Sequence, residues 1–322
     1  MRMTDSLSDI ARELERADTI ALCGHHHPDG DCVGSVCALA HLLRGLGKEV
    51  QPLLCTEEPV PDVYRFLVEA DSFVPAGSYT ATPDVFLALD ISGCNRLKDA
   101  LAVLSRAGRK LSVDHHAGPD EVWDLCYDDP SCSATGLLVW EFAGLLGVEP
   151  DAAFATACYV AMMTDTGRFQ FQNTDARTFR AAATACEAGA DPADISARVY
   201  QSRTRASIRV EALVFERMQV TPEGTVVYSW LSDDDLERLQ ARSQDADRLV
   251  DSLRTLGGVR VALMLRVSGV HVRGSIRAKD DTDVAAVASK LGGGGHRAAA
   301  GFVLEGTLQQ AFDRVLPLLR GI

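Results

Sequence analysis

Short apolar runs alternate with longer stretches of helical period over the first 190 residues, and three of the runs stop in the same way. The run 19–23 ends in Gly24-His25-His26-His27-Pro28-Asp29-Gly30-Asp31, the run 85–89 ends in Asp90, and the run 110–113 ends in Asp114-His115-His116. Runs this short read as strands buried on both faces, and the segments between them read as helices. The pattern predicts an α/β fold: a parallel sheet with helices on both faces and polar residues gathered beyond the carboxyl ends of its strands. Leu7, Ile10, Ala11 and Leu14 place a helix over 4–17. Further helices are expected at 33–46, closed by Gly47, and at 62–70, 135–146, 151–163 and 175–188, with another strand at 49–55.

Beyond Gly189 the texture changes. Apolar density falls and Arg198, Arg203, Arg205 and Arg209 accumulate, so 191–210 reads as a linker between a first domain, 1–190, and a smaller α/β domain, 211–322. In the latter, strands are expected at 225–231, 259–267 and 270–278, the last two forming a hairpin through Ser268-Gly269. Helices are expected at 233–242, 245–256, 283–291 and 308–319. Four glycines and a histidine, Gly292 to His296, follow the third of these helices.

A length of 322 residues suits two domains that each bury a core without staples. The nine cysteines are odd in number, scattered and free of C-x-x-C spacing, which points to buried thiols in a reducing compartment. The acidic N-terminus lacks a signal-peptide pattern and no run is long enough to span a bilayer, so the expected location is the cytoplasm, away from membrane. A formal charge of −13 opposes a broad grip on long nucleic acid, yet leaves room for a short phosphorylated substrate at a local site.

Three histidines and two carboxylates within residues 25–31, broken by Pro28 and glycines, form half of a metal cage. His25, Asp29, Asp31, Asp90, His115 and Asp165 come from four separate segments. A carboxylate-rich set with two imidazoles suits Mn²⁺ better than a thiolate zinc site would. Two such ions, about 3.5–4 Å apart, are a standard device for cleaving phosphate esters. Gly34 and Ser35, read as opening the next helix, would offer free N–H groups to an anion.

Asp114-His115-His116 after a strand, H-x-x-P-D-x-D upstream and G-G-G-H downstream resemble the DHH phosphoesterases, in particular their nanoRNase and pAp phosphatase branch. The resemblance covers nearly the whole chain. It implies a catalytic domain followed by a DHH-associated substrate-binding domain, with a cleft between them. It also implies two Mn²⁺, with Mg²⁺ or Co²⁺ as substitutes: His25, Asp29 and Asp90 would hold one ion, and Asp31, Asp90, His115 and Asp165 the other. Asp114 would orient His115, and His116 would face the scissile phosphate. His26 and His27 fall at variable loop positions. Ser275, Arg277, Gly293, Gly294, Gly295 and His296 match the substrate motifs, with Arg273, Lys279 and Arg297 as weaker candidates.

The reaction so implied is hydrolysis of short oligoribonucleotides, pAp, and linear or cyclic dinucleotides, by a hydroxide attacking phosphorus. Substrate partners would be small nucleotides, and a homodimer is compatible with the family. A RecJ-like single-strand exonuclease would want a larger chain with aromatic platforms, whereas aromatics make up 6% of this one. A pyrophosphatase with the same site would not need the glycine-rich motif. A non-catalytic nucleotide sensor would not need every metal-binding residue.

Overall fold

The computed structural model describes residues 5–321 except 92, 117, 119, 120 and 247, with His296 described by its backbone alone. Two compact units divide between Ser202 and Arg203. The stretch 191–210, read from the sequence as a linker, instead carries helix Pro192–Tyr200 in the first unit and the opening of helix Arg205–Arg217 in the second. Ile195 and Val199 of the former are buried in the first unit's core, which accounts for its order.

The first unit is built on six parallel strands: β1 (Thr19–Cys23), β2 (Glu49–Leu54), β3 (Val74–Pro75), β4 (Val85–Leu89), β5 (Arg109–Asp114) and β6 (Leu125–Asp128). Their order is β3-β2-β1-β4-β5-β6. The chain winds outward one way from β1 and the other way from β4, so the direction reverses between these neighbours, where a crevice opens beyond the strand ends. All five residues of β4 are buried, as a strand covered on both faces requires.

Among the described residues the first unit's helices are α1 (Leu7–Arg16), α2 (Gly30–Gly45), α3 (Leu101–Arg106), α4 (Thr135–Leu145), α5 (Ala152–Asp165), α6 (Ala176–Glu187) and α7 (Pro192–Tyr200), with α6 and α7 packed on α5. Leu39, Leu43, Phe142 and Phe154 fill one side of the sheet; Phe86, Ala88, Leu104 and Trp123 fill the other. The pairing of α2 with α5 depends on two glycines. A Cβ on Gly34 would lie 2.6 Å from the Ala157 carbonyl oxygen, and one on Gly30 would lie 2.4 Å from Thr164 Oγ1. Hydrogen at these positions lets the start of α2 approach the end of α5.

The helix expected at 62–70 is absent. Two single 3₁₀ turns, Asp62–Tyr64 and Ala70–Ser72, stand there, and Glu69 between them is left-handed at φ 67°. Val60, Tyr64, Leu67 and Ala70 are still buried, so consecutive turns meet the spacing that had suggested a helix.

The second unit has α8 (Arg205–Arg217), α9 (Asp233–Arg238), α10 (Leu249–Arg254), α11 (Val284–Lys290) and α12 (Leu308–Arg320). Its strands are β7 (Gln219–Val220), β8 (Val226–Ser232), β9 (Val261–Ser268), β10 (His271–Ala278), β11 (Gly294–His296) and β12 (Ala299–Glu305), in the order β11-β12-β10-β9-β8-β7. Among the described residues, β8 and β9 pair parallel and the other neighbours antiparallel. The helices expected at 233–242 and 245–256 are cut short, because Gln240 and Arg248 adopt left-handed φ of 53° and 61°.

Candidate metal and phosphoester site

The clustered residues lie where the winding direction reverses. His25 follows β1, Asp90 follows β4, and Asp114 closes β5, so adjacent parallel strands deliver their following residues to one rim. Asp29 caps α2, accepting from the N–H groups of Asp31 and Cys32 at 3.1 Å each, which sets Asp31 in the first helical turn. Asp165 is the last residue of α5. Asp90 is left-handed at φ 60°, with its N–H donated to the Val113 carbonyl at 3.2 Å. Such backbone in a buried non-glycine residue costs about 1–3 kcal/mol and persists where the surroundings over-determine it.

Asp90 turns one carboxylate oxygen toward each imidazole. Its Oδ2 lies 3.4 Å from His25 Nε2, and its Oδ1 lies 3.5 Å from His115 Nε2. His25 Nε2 is also 3.7 Å from Asp29 Oδ1. His115 Nε2 is 3.7 Å from Asp31 Oδ2 and 3.9 Å from Asp165 Oδ2. Among the described residues three groups have ligand atoms within 4.8 Å of one another: His25, Asp29 and Asp90; Asp31, His115 and Asp165; and Asp90, Asp114, His115 and His116. The structure thus brings all six sequence-derived candidates together.

Charge balance shows what this arrangement lacks. Asp31 and Asp90 are 1% and 2% exposed, and a buried carboxylate is costly without a countercharge. Burial would push His25 down, but Asp29 and Asp90 more than offset this and hold it up at about 10. Burial likewise opposes charge on His115, and Asp90, Asp165 and Asp31 raise it well above the usual imidazole range. Burial lifts Asp165 to about 6, and burial with the neighbouring Asp90 lifts Asp31 well above its ordinary value. The donor set of four carboxylates and two imidazoles, with Asp90 facing both halves, fits a pair of divalent cations.

The imidazoles are oriented from behind. His25 Nδ1 meets the His26 carbonyl at 2.9 Å and His115 Nδ1 meets the Cys132 carbonyl at 3.3 Å. A proton donated from Nδ1 leaves Nε2 as the ligating nitrogen. Asp31 accepts from the Thr135 and Gly136 N–H groups at 2.7 and 2.8 Å and from Ser35 Oγ at 3.1 Å. It therefore caps α4, whose own N-cap Ala134 has no side chain to do so. Thr135 Oγ1 reaches Asp90 Oδ1 at 3.3 Å.

Two expectations are revised, those for Asp114 and for Gly34 with Ser35. Asp114 Oδ1 accepts from His116 Nδ1 at 2.6 Å and from the N–H groups of His115 and His116 at 2.8 and 3.1 Å. It therefore steadies the His116 ring directly and reaches residue 115 through the main chain. Gly34 and Ser35 do not open α2: they lie in its second turn, with Gly34 against α5 and Ser35 bonded to Asp31. His26 Nδ1 meets the Arg96 carbonyl at 3.1 Å and the exposed His27 meets Glu58 at 2.6 Å.

Sequence reasoning missed Thr135, Asn173 and Asp128. Asn173 Nδ2 donates to Asp165 Oδ2 at 3.1 Å. Asp128 pairs with Asp114 across β5 and β6, and its Oδ2 is buried without a partner among the described residues. Burial and the nearby Asp114 push Asp128 up to about 7. Asp128 closes a strand next to β5, a signal that the three-run pattern left unused.

In the second unit, Ser275 and Arg277 share a face of β10. Arg277 is half-buried, donates from Nη1 to the Ile276 carbonyl at 3.1 Å and lies 3.7 Å from Asp251. The glycine motif forms the edge strand β11, paired with β12. A Cβ on Gly293 would come within 2.1 Å of the Gly301 carbonyl oxygen, and one on Gly295, at φ 140°, within 2.5 Å of the Ala299 carbonyl oxygen. Close packing thus accounts for both, whereas Gly294 faces open space. The His296 side chain lies outside the described residues. Lys279 donates to the Leu256 carbonyl and Arg297 to the Asp281 carbonyl, while Arg273 is exposed.

A parallel sheet with this carboxylate and imidazole rim is the arrangement expected of a metal-dependent phosphoester hydrolase. The family model described as DHH family, N-terminal domain, matches residues 19–162, and the DHHA1 domain model matches 223–321. The bifunctional oligoribonuclease and PAP phosphatase NrnA of Thermus thermophilus is 32% identical over 321 residues, spanning 99% of this chain and 95% of that protein. The cyclic-di-AMP phosphodiesterase PdeA of Listeria monocytogenes is 24% identical, spanning 90% of this chain and 45% of its own length. An exopolyphosphatase-related protein from Bacteroides fragilis shares the fold with a TM-score of 0.90 at 23% identity, covering 98% of this chain and 95% of that one. The chain belongs to the DHH family and carries a DHHA1 domain. Among the described residues, no helix is long and apolar enough to cross a membrane.

Proposed function

We propose that this protein hydrolyses short phosphorylated nucleotides: oligoribonucleotides of a few residues to mononucleotides, pAp to AMP, and linear or cyclic dinucleotides. The observation that carries the reading is the Asp90 carboxylate, one oxygen facing His25 and the other facing His115. Similarity to an oligoribonuclease and PAP phosphatase along 99% of the chain supports the substrate class, and similarity to a cyclic-di-AMP phosphodiesterase supports the dinucleotides.

On this reading His25, Asp29 and Asp90 hold one cation and Asp31, Asp90, His115 and Asp165 the second, with Mn²⁺ preferred and Mg²⁺ or Co²⁺ as substitutes. When bound, the pair supplies Lewis acidity and an activated water at neutral pH. The chain's own residues do the rest. Asp114 holds the Nδ1 proton of His116 and so turns Nε2 to the substrate, where the doubly protonated ring would donate a hydrogen bond or give its Nε2 proton to the leaving oxygen. The first unit is the catalytic domain and the second a nucleotide-binding domain, in which Arg277, Ser275, Gly293, Gly294, Gly295 and His296 contact nucleotide. The arginine's planar guanidinium suits phosphate or a base face. The small, local nature of the site agrees with a net charge of −13, which disfavours long polymers. We place the protein in the cytoplasm, and a homodimer fits the reading.

The test is an assay of the purified protein with Mn²⁺ against pAp, a series of RNAs of two to about seven residues, and cyclic and linear dinucleotides. Release of mononucleotides from the shortest RNAs and of phosphate from pAp is expected. No turnover of any of these with any divalent metal would refute the proposal.

A further inference from the structure

Immediately after Asp165 the backbone passes through three successive left-handed residues, Gly167, Arg168 and Phe169, at φ 54°, 65° and 61°. Two of them carry a Cβ, and each such residue costs roughly 1 kcal/mol or more. Thr166 holds the turn: its Oγ1 donates to the Met162 carbonyl at 2.6 Å and accepts from the Phe169 N–H at 3.1 Å, and its carbonyl accepts from Gln170 and Phe171 at 3.0 Å each. The effect is to reverse the chain, so that Asn173 returns to the end of α5.

There the Asn173 amide nitrogen meets three oxygens: Asp165 Oδ2 at 3.1 Å, the Asp165 carbonyl at 3.3 Å and the Ser133 carbonyl at 3.0 Å. All three are acceptors, so the side chain must present its NH₂ and not its carbonyl. Ser133 directly precedes Ala134, the N-cap of the helix whose first N–H groups grip Asp31. One amide therefore links the segment that hydrogen-bonds Asp31 to the carboxylate of Asp165, and Asp165 Oδ2 is the oxygen that faces His115.

We infer that Asn173 is a positioning residue for the cation held by Asp31, His115 and Asp165. By occupying one lone pair of Asp165 Oδ2, it fixes the direction in which the remaining lone pair points, and the strained turn exists to bring it there. The inference rests on the two-cation reading above. Asn173 is itself exposed, so its replacement opens no cavity in the core.

The test titrates Mn²⁺ alone into the full-length protein, reading free Mn²⁺ by electron paramagnetic resonance and heat by calorimetry, with thermal melts to verify folding. Asn173→Ala is expected to weaken one of two Mn²⁺ equilibria by about 10- to 100-fold, the usual effect of removing a group that orients a ligand, and to leave the other near wild type. Asn173→Ser, too short to reach Asp165 and Ser133 together, gives the same selective loss and serves if the alanine variant does not fold. Wild-type affinity at both sites in either folded variant overturns the inference while leaving the two-cation reading intact. A wild-type protein that takes up no Mn²⁺ overturns both.

Discussion

Asp90 Oδ2 lies 3.4 Å from His25 Nε2, and the residue reaches that position through a left-handed backbone at φ 60°. Among residues with a side chain, asparagine and aspartate adopt this conformation at the least cost. Asp90→Asn therefore keeps the backbone while removing the charge shared by both imidazoles. Hydrolysis and Mn²⁺ uptake at both sites are expected to fall by at least about 100-fold with the fold intact. Unchanged Mn²⁺-dependent turnover in this variant would disprove the bridging role.

The 2.6 Å bond from His116 Nδ1 to Asp114 Oδ1 sets which imidazole nitrogen carries the proton. An amide in place of the carboxylate frees the ring to adopt the other tautomer. Asp114→Asn is expected to lower kcat by about 100- to 10,000-fold, the range associated with a misplaced general acid, with Mn²⁺ affinity close to wild type. Equal losses in Mn²⁺ binding would show instead that Asp114 acts on the ions.

Cation uptake should be linked to protons. Without a cation, Asp29 and Asp90 hold His25 up at about 10 against its burial, and burial holds Asp165 up at about 6. Binding must displace the His25 proton at any pH below about 10, so affinity rises with pH. From pH 5 to 7 the slope steepens at the low end, where Asp165 is also protonated. Calorimetry in buffers of different ionisation enthalpy measures this release directly. A pH-independent affinity would contradict the ligand assignment.

Asp128 gives a stability signature separate from catalysis. Its folded-state value, pushed up to about 7 by burial beside Asp114, exceeds that of an unfolded aspartate, so the native state binds the proton more tightly. Its contribution is neutral below about pH 4 and increasingly unfavourable as pH rises to about 7. Asp128→Asn should raise Tm at pH 8 and leave it nearly unchanged at pH 4. Parallel Tm shifts at both pH values would contradict the assignment.

At Gly34 the prediction concerns packing. A Cβ there would stand 2.6 Å from the Ala157 carbonyl oxygen, so α2 and α5 would have to part. Gly34→Ala should destabilise by about 1–3 kcal/mol in denaturant unfolding, despite alanine's better helix propensity. It should also weaken Mn²⁺ binding, because these two helices carry Asp31 and Asp165. A neutral or stabilising effect would mean that the helices yield.

The sequence by itself determined the parallel sheet and the six clustered residues, because strands buried on both faces must be short apolar runs, and carboxylates and imidazoles set where such runs or an apolar helix stop are costly to bury without a partner charge. Period and residue type carry that information locally. The tertiary structure alone decided the rest. Asp114 serves His116 because a short strand-end turn brings that ring back to its oxygen, and Gly34 is a packing residue because α5, more than 100 positions away, lies against it. Asn173 and Asp128 became visible only through a left-handed turn and a strand register. The turns at 62–72 and the breaks at Gln240 and Arg248 were equally hidden, since left-handed φ at non-glycine residues leaves no mark in the hydrophobic pattern.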